Sequence, residues 1–322
     1  MRLETVSAEG RKLYTGGSKE TAAFSGPSTF DLRLSKRING IQDPAWVRVT
    51  LTTIALIVLV FLIIIPVIYV FVQAFGAGLG TYFGALAGNS DTLHAILLTL
   101  IVGPAAVVLN LVFGVAAAWA IARFRFPGRS LLISLIDLPF SVSPVVAGLL
   151  FVLLFGLQGY FGPWMREHGI RVLYSPLGLI LATAFVTFPF IARELLPVME
   201  AVGSDEELAA LSLGASGWQM FWRITLPNIR WGLLYGVILC NARAMGEFGA
   251  VYVVSGRITG QTDTIPLRVE KLFEDYRNAE SFALASLLTL LALVTLLVKT
   301  LLERKVAAQR PEAEQVKKGA NQ

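Results

Sequence analysis

The sequence predicts an all-α integral membrane protein with six transmembrane helices and both termini in the cytoplasm. Three observations carry that prediction. Hydrophobic residues make up 55% of the chain and charged residues 15%, against about 25% charged in a soluble domain. Six apolar runs reach the ~20 residues that a helix needs to cross about 30 Å of hydrocarbon. Lysine and arginine, finally, fall in alternate connections between those runs, the asymmetry that sets orientation.

Residues 1–48 are polar, rich in Gly, Ser and Thr, and read as a largely disordered cytoplasmic tail; no apolar signal core lies there. A membrane-spanning body is expected over 49–303, with a second polar tail at 304–322. The first two spans are expected at 51–76 and 95–121, and the third at 131–155, "LLISLIDLPFSVSPVVAGLLFVLLF". The last three follow at 176–197, 231–254 and 282–302. Arg33, Lys36, Arg37 and Arg48 precede the first span, and the connection 77–94 has no Lys or Arg, so it belongs outside. Arg123, Arg125 and Arg129 place the next link inside. The segment 198–230 is inside again, and Arg304, Lys305, Arg310, Lys317 and Lys318 mark the C-terminal end as cytoplasmic. The loop 255–281 dissents weakly, its basic residues being offset by acidic ones.

Composition excludes several chemistries. Cys240 is the one cysteine, so no intrachain disulfide forms, and with only His94 and His168 neither a metal site nor a catalytic triad is expected. The net charge of +5 sits beside apolar runs, which points to lipid and the positive-inside rule rather than to nucleic acid. Pro66, Pro104, Pro139, Pro144 and Pro189 interrupt spans, and Ser141 and Ser143 add hydroxyls in "SVSPVVAG". Such breaks need partners inside protein or along a cavity, although ordinary close packing of Gly, Ala and Ser helices is the alternative.

The segment 204–232, "SDEELAALSLGASGWQMFWRITLPNIRWG", is too polar to span and too apolar for a solvated linker. Ser204 is expected to cap a short helix whose Asp205, Glu206 and Glu207 suit its positive end. Gly214 ends that helix, Ser216 caps a second one carrying Trp218, Phe221 and Trp222, and Pro227 stops it before the fifth span. Such a knuckle either lies on membrane lipid or docks into a soluble partner.

The fifth span carries "NARAMGEFGAVYVVSG", residues 241–256, with Arg243 and Glu247 one turn apart. An unpaired Arg or Asp at a span centre costs roughly 2.5–3.5 kcal/mol, so a partner is required. The pair either holds the bundle as a salt bridge or lines a polar path or gate, together with Asn241, Ser141 and Ser143. Asp137 is a second candidate partner for Arg243. Lys299 and Arg193 lie near helix ends and are expected to snorkel.

At these residues the chain resembles the permease subunits of bacterial ABC importers. The cytoplasmic-loop hallmark is matched by Ala209, Ala210, Gly214, Ile224, Leu226 and Pro227; its glutamate slot falls on Leu208, with Glu207 one residue earlier. "NARAMGEFGAV" is similar to the fifth-helix signature of the sulfate and molybdate branch. The resemblance implies the type I, MetI-like permease fold in a bacterial inner membrane. It implies a sulfate and thiosulfate importer, with two ATP-binding cassette subunits that hold ATP and Mg and a periplasmic sulfate-binding protein. A second permease subunit would complete a heterodimer. The loop 200–230 would receive the ATPase, through Glu207, Ala209, Ala210, Gly214, Trp218, Leu226 and Pro227. The chain has no G-x-x-x-x-G-K-[ST] loop, and neither a cofactor of its own nor a catalytic residue is expected. Molybdate or tungstate is the alternative cargo; a secondary anion transporter or a membrane-embedded enzyme are the alternatives in kind.

Overall fold

The computed structural model describes residues 44–320. Most of the tail expected over 1–48 lies outside the described residues. The chain divides into two units, Met1–Leu62 and Ile63–Gln322. The described part of the first unit is helical: α1, Ala45–Leu59, passes into a π-helical turn at Val60–Ile64.

The second unit holds the remaining helices. They are α2 (Ile65–Gly76), α3 (Leu79–Ala87), α4 (Ser90–Arg123), α5 (Arg129–Ser141), α6 (Pro144–Phe155), α7 (Gly162–Glu167) and α8 (Pro176–Val202). After them come α9 (Asp205–Ser212), α10 (Gly217–Met220), α11 (Leu226–Met245), α12 (Gly249–Ser255), α13 (Ile265–Glu274) and α14 (Asn278–Ala320). Among the described residues no strand occurs. Four stretches are long and apolar enough to cross a membrane: Ala45–Gly76, Ser90–Arg123, Pro176–Val202 and Asn278–Arg304. Two bent pairs raise the number to six if each pair is one span. The six expected spans fall on these six stretches. The short α3, α7 and α13 occupy the connections between spans, and α14 runs on through the residues read from sequence as a polar tail.

The two longest central helices form the frame. Asn89 caps α4 by accepting from the Asp91 amide at 2.9 Å, Asp91 suits the positive end, and Arg123 suits the negative end of its 34 residues. That length spans about 50 Å. Ser175 caps α8, with Pro176 in the first turn, where the missing N–H costs nothing. Gly114 lets α4 and α8 touch: a Cβ there would lie 3.1 Å from the Ile191 side chain. Val107, Ala118, Ile191, Leu195, Met199, Ile229, Cys240 and Ala244 make the core that α4, α8 and α11 share. One polar seam crosses it. The Asn110 amide donates to Thr187 Oγ1 at 2.8 Å, and Thr187 donates to the Thr183 carbonyl at 2.7 Å, so these two buried side chains partner each other across the apolar core.

Two of the expected spans are not straight. The third is broken into α5 and α6, which meet at 109°. Pro144 opens α6, and the two residues before it, Val142 and Ser143, are extended at ψ 129° and ψ 137°, as a residue ahead of proline prefers. The fifth span bends by 53° between the helical run Gly217–Met245 and α12. A further correction concerns Pro227. The second short helix does not stop there; it continues through a π-helical turn at Phe221–Thr225 into α11. The wider turn absorbs a proline that has no N–H to give the preceding turn.

Candidate functional site

The two breaks in the spans face each other. Gly249, the first residue of α12, lies on Pro144, the first of α6: a Cβ on Gly249 would come within 2.8 Å of the proline ring. Gly148 makes the same allowance one turn on, where a Cβ would sit 2.9 Å from the Ala250 carbonyl. Small residues thus let two half-helices begin side by side in the interior of the spans.

Glu247 occupies the break itself. It lies beyond the end of α11, its amide donating to the Ala244 carbonyl, and it is 2% exposed. Its Oε1 accepts from the Ala250 amide at 3.0 Å, supplying the N-terminal cap of α12 that Phe248 cannot. Its Oε2 stands 2.5 Å from Arg243 Nη1, whose side chain stays 35% exposed. The pair therefore forms, but it joins the end of one helix to the start of another rather than two turns of one helix. Oε1 is hydrogen-bonded, Oε2 faces the guanidinium as an ion pair without a hydrogen bond, and the cation remains open on one side. Beside Glu247 a cavity of about 10 Å³ is lined by Thr99, Gly103, Thr183, Met245 and Thr264, room for about one water.

The remaining expected path residues divide. Ser141 and Ser143 are exposed at the α5–α6 corner. Asn241 is half-buried on α11, its amide 3.8 Å from the Met245 sulfur and without a bond to Glu247. Asp137 does not pair with Arg243. It sits 2.7 Å from Arg193, because α5 lies along α8, and the Arg193 guanidinium also covers the Phe140 ring. Arg193 is therefore tied by an ion pair as well as exposed. Lys299 lies over the Tyr235 ring and 3.8 Å from Glu303.

The loop between α8 and α11 folds as a knuckle. Gly214 has φ +87°, and the amides of Gly214 and Ala215 return to the Leu211 and Ala210 carbonyls, closing α9 as the sequence predicts. Ser216 and Gln219 form a reciprocal capping box at α10. Ser204 stands at the N-cap of α9 without the expected side-chain bond. Leu213, Trp218 and Trp222 are exposed by 89%, 70% and 51%, an apolar face turned away from the bundle. Ala209, Gly214 and Pro227 are exposed on the same knuckle, while Ala210 and Leu226 are half-buried. Glu207 departs from the expected docking surface: it is 6% exposed and points inward. It pairs with Arg123 at 2.6 Å and accepts from Thr225 Oγ1 at 2.7 Å. Sequence reasoning missed Arg123 and Thr225 as partners, since a basic residue ending an apolar run reads as a topology signal alone.

The segment after α12 buries Asp263 and Arg268, with Nη1 of the arginine 3.7 Å from the carboxylate. Burial raises the Asp263 pKa, against the pull of Lys271, Arg268 and Arg257.

Comparison with known proteins adds to this geometry. The family model described as "Binding-protein-dependent transport system inner membrane component" matches residues 110–308. The sulfate transport system permease protein CysW of Escherichia coli (strain K12) is 52% identical over 270 residues, 84% of this chain and 92% of that protein. The sulfate transport system permease protein CysT of the same strain is 38% identical over 200 residues, 62% of this chain and 72% of that protein. Among solved structures, a bacterial alginate ABC transporter, in complex with its alginate pentasaccharide-bound periplasmic protein, superposes with a TM-score of 0.68. It shares 20% identity, covers 85% of this chain and 98% of its own, and supports the fold alone.

Proposed function

Because the chain belongs to the family of binding-protein-dependent transport system inner membrane components, we propose that it is the membrane-spanning permease subunit of an ATP-driven sulfate importer. The observation that carries the sulfate reading is the 52% identity to a sulfate permease along 84% of the chain, breaks and knuckle included. This favours sulfate over the molybdate alternative. The likeness to both CysW and CysT supports a second, different permease subunit as partner, and the alginate transporter's periplasmic protein supports a binding protein on the outer face.

The division of labour follows from the residues. Two ATPase subunits hold ATP and Mg and close on the exposed face of Leu213, Trp218 and Trp222. Apolar helices seated in a groove are a recurrent docking mode. The knuckle, both termini and the Arg123–Arg129 link lie on the cytoplasmic side. The facing breaks at Ser143–Pro144 and Glu247–Gly249 line the anion path. Arg243 offers the half-open cation there, and Glu247 keeps its charge from holding a dianion too firmly, since conduction needs a site weak enough to leave.

The test is reconstitution. The chain, a second permease and two ATPase subunits in proteoliposomes, given sulfate-loaded binding protein, should import labelled sulfate only with ATP. Import without ATP would make the chain a secondary transporter, and import of molybdate in preference to sulfate would reassign the cargo.

A further inference from the structure

The knuckle touches the bundle in an unusual way. Of the eight residues of α9, the buried one is Glu207, a carboxylate. Leu208 and Leu211 on the same helix, and Leu213 beyond it, are exposed. Glycines at positive φ, Gly203 at +73° and Gly214 at +87°, bound the helix on both sides. A short rod between two such turns, with no buried apolar side chain, is held by its polar contacts.

Those contacts converge from separate elements. Arg123, the last residue of α4, grips both Glu207 oxygens, Nε to Oε2 at 2.6 Å and Nη2 to Oε1 at 3.2 Å. Its remaining nitrogen, Nη1, donates to the Met199 carbonyl in the last turn of α8 at 2.9 Å. Thr225, in the π-helical turn leading into α11, donates to Oε1 at 2.7 Å and is 1% exposed. A bidentate guanidinium–carboxylate pair fixes direction as well as distance. With side chains 10% and 8% exposed, water screens it little.

We propose that Arg123, Glu207 and Thr225 form the joint that delivers movement of α9 to α4, α8 and α11 together, so that the inward carboxylate, not an apolar contact, carries the ATPase stroke into the spans. The proposal rests on the permease reading above and makes these positioning residues rather than residues of the anion path. The outer face of the knuckle and the joint then have separate duties: Leu213, Trp218 and Trp222 receive the partner, and Glu207 passes the motion on.

The experiment compares sulfate imported per ATP hydrolysed in the reconstituted complex, with co-purification of the ATPase subunits measured alongside. Glu207→Gln keeps the shape and removes the charge. It is expected to co-purify with the ATPase subunits and to lower the ratio about tenfold, within the 5–150-fold span of ordinary site-to-site coupling. The reversed pair, R123E with E207R, is expected to recover part of the ratio. Thr225→Val trims one bond, retains the ion pair, and should lower the ratio by less. An unchanged ratio in Glu207→Gln and Thr225→Val, even with reduced yield, overturns the joint. A wild-type complex that imports no sulfate overturns the permease reading instead, so the two failures are distinguishable.

Discussion

At the level of single residues, Arg243 and Glu247 show how two charges are accommodated where charge is costly. Glu247 is buried, its Oε1 bonded to the Ala250 amide and its Oε2 facing the Arg243 charge, so the span bends around an ion-paired carboxylate. Removing the arginine alone leaves that carboxylate short of its partner, a loss of about 1–3 kcal/mol. Arg243→Ala is therefore expected to lower both the melting temperature of the purified complex and sulfate import. Adding Glu247→Gln should recover the melting temperature, because the amide can still accept from Ala250, while import stays low. Recovery of import as well would reduce Arg243 to a fastening. Asp263 gives a second, opposite case. Its folded pKa is raised above 3.8 by burial, so the folded segment binds more protons than the unfolded one across that window. Its contribution to stability is fully present below about pH 3.8 and is lost as pH rises through the folded value. Amide exchange over residues 257–268, corrected for intrinsic rates, should slow as pH falls from neutral, and Asp263→Asn should flatten that dependence.

Among the helices, what was legible was where apolar runs lie, and what was hidden was where they turn. Length and hydropathy placed all six spans, because burying backbone in lipid demands about 20 apolar residues whatever the helix does next. The 109° corner at Pro144 and the 53° bend at Glu247 carry the same apolar composition on both sides, so no change of period announces them. Proline signalled a possible break at each of several places, and only contact between helices decides which one opens. Glu207 was misread for a related reason. In a polar segment a carboxylate is taken for a solvated cap, and its burial depends on Arg123, which is 84 residues away in sequence. The packing of the two half-helices is testable directly. Gly249→Val places methyl groups where the first Cβ already meets Pro144 at 2.8 Å, with ring and backbone unable to yield. Overpacking of that kind costs typically about 1–3 kcal/mol. The melting temperature should fall, whereas Gly80→Val, with nothing within 4 Å of its Cβ, should leave it nearly unchanged.

For the molecule as a whole, the assignment that everything else depends on is which side of the membrane the knuckle faces. Charge is distributed one-sidedly: Arg123, Arg125 and Arg129 crowd one connection, while 77–94 has no Lys or Arg. The loop at 255–281 weakens that asymmetry, and the structure shows why that loop is a poor witness. Arg257 is engaged by Glu270 and Glu274, Arg268 lies between Asp91 and Asp263, and Arg277 is held by Glu280, so its three arginines are neutralised locally. The lone cysteine makes the orientation measurable. Cys240 is buried, and with Cys240→Ser the chain has no thiol, so single cysteines report one position each. Leu213→Cys on the knuckle and Gln261→Cys on the α12–α13 connection are both at exposed positions. A membrane-impermeant thiol reagent added to intact cells whose outer barrier is opened should label Gln261→Cys and spare Leu213→Cys, and inverted vesicles stripped of the ATPase subunits should reverse the result. Labelling of Leu213→Cys from outside would put the knuckle where no ATPase can reach it. That outcome would remove the docking face, the joint at Glu207 and ATP-driven import together, while leaving the helices and their breaks as described.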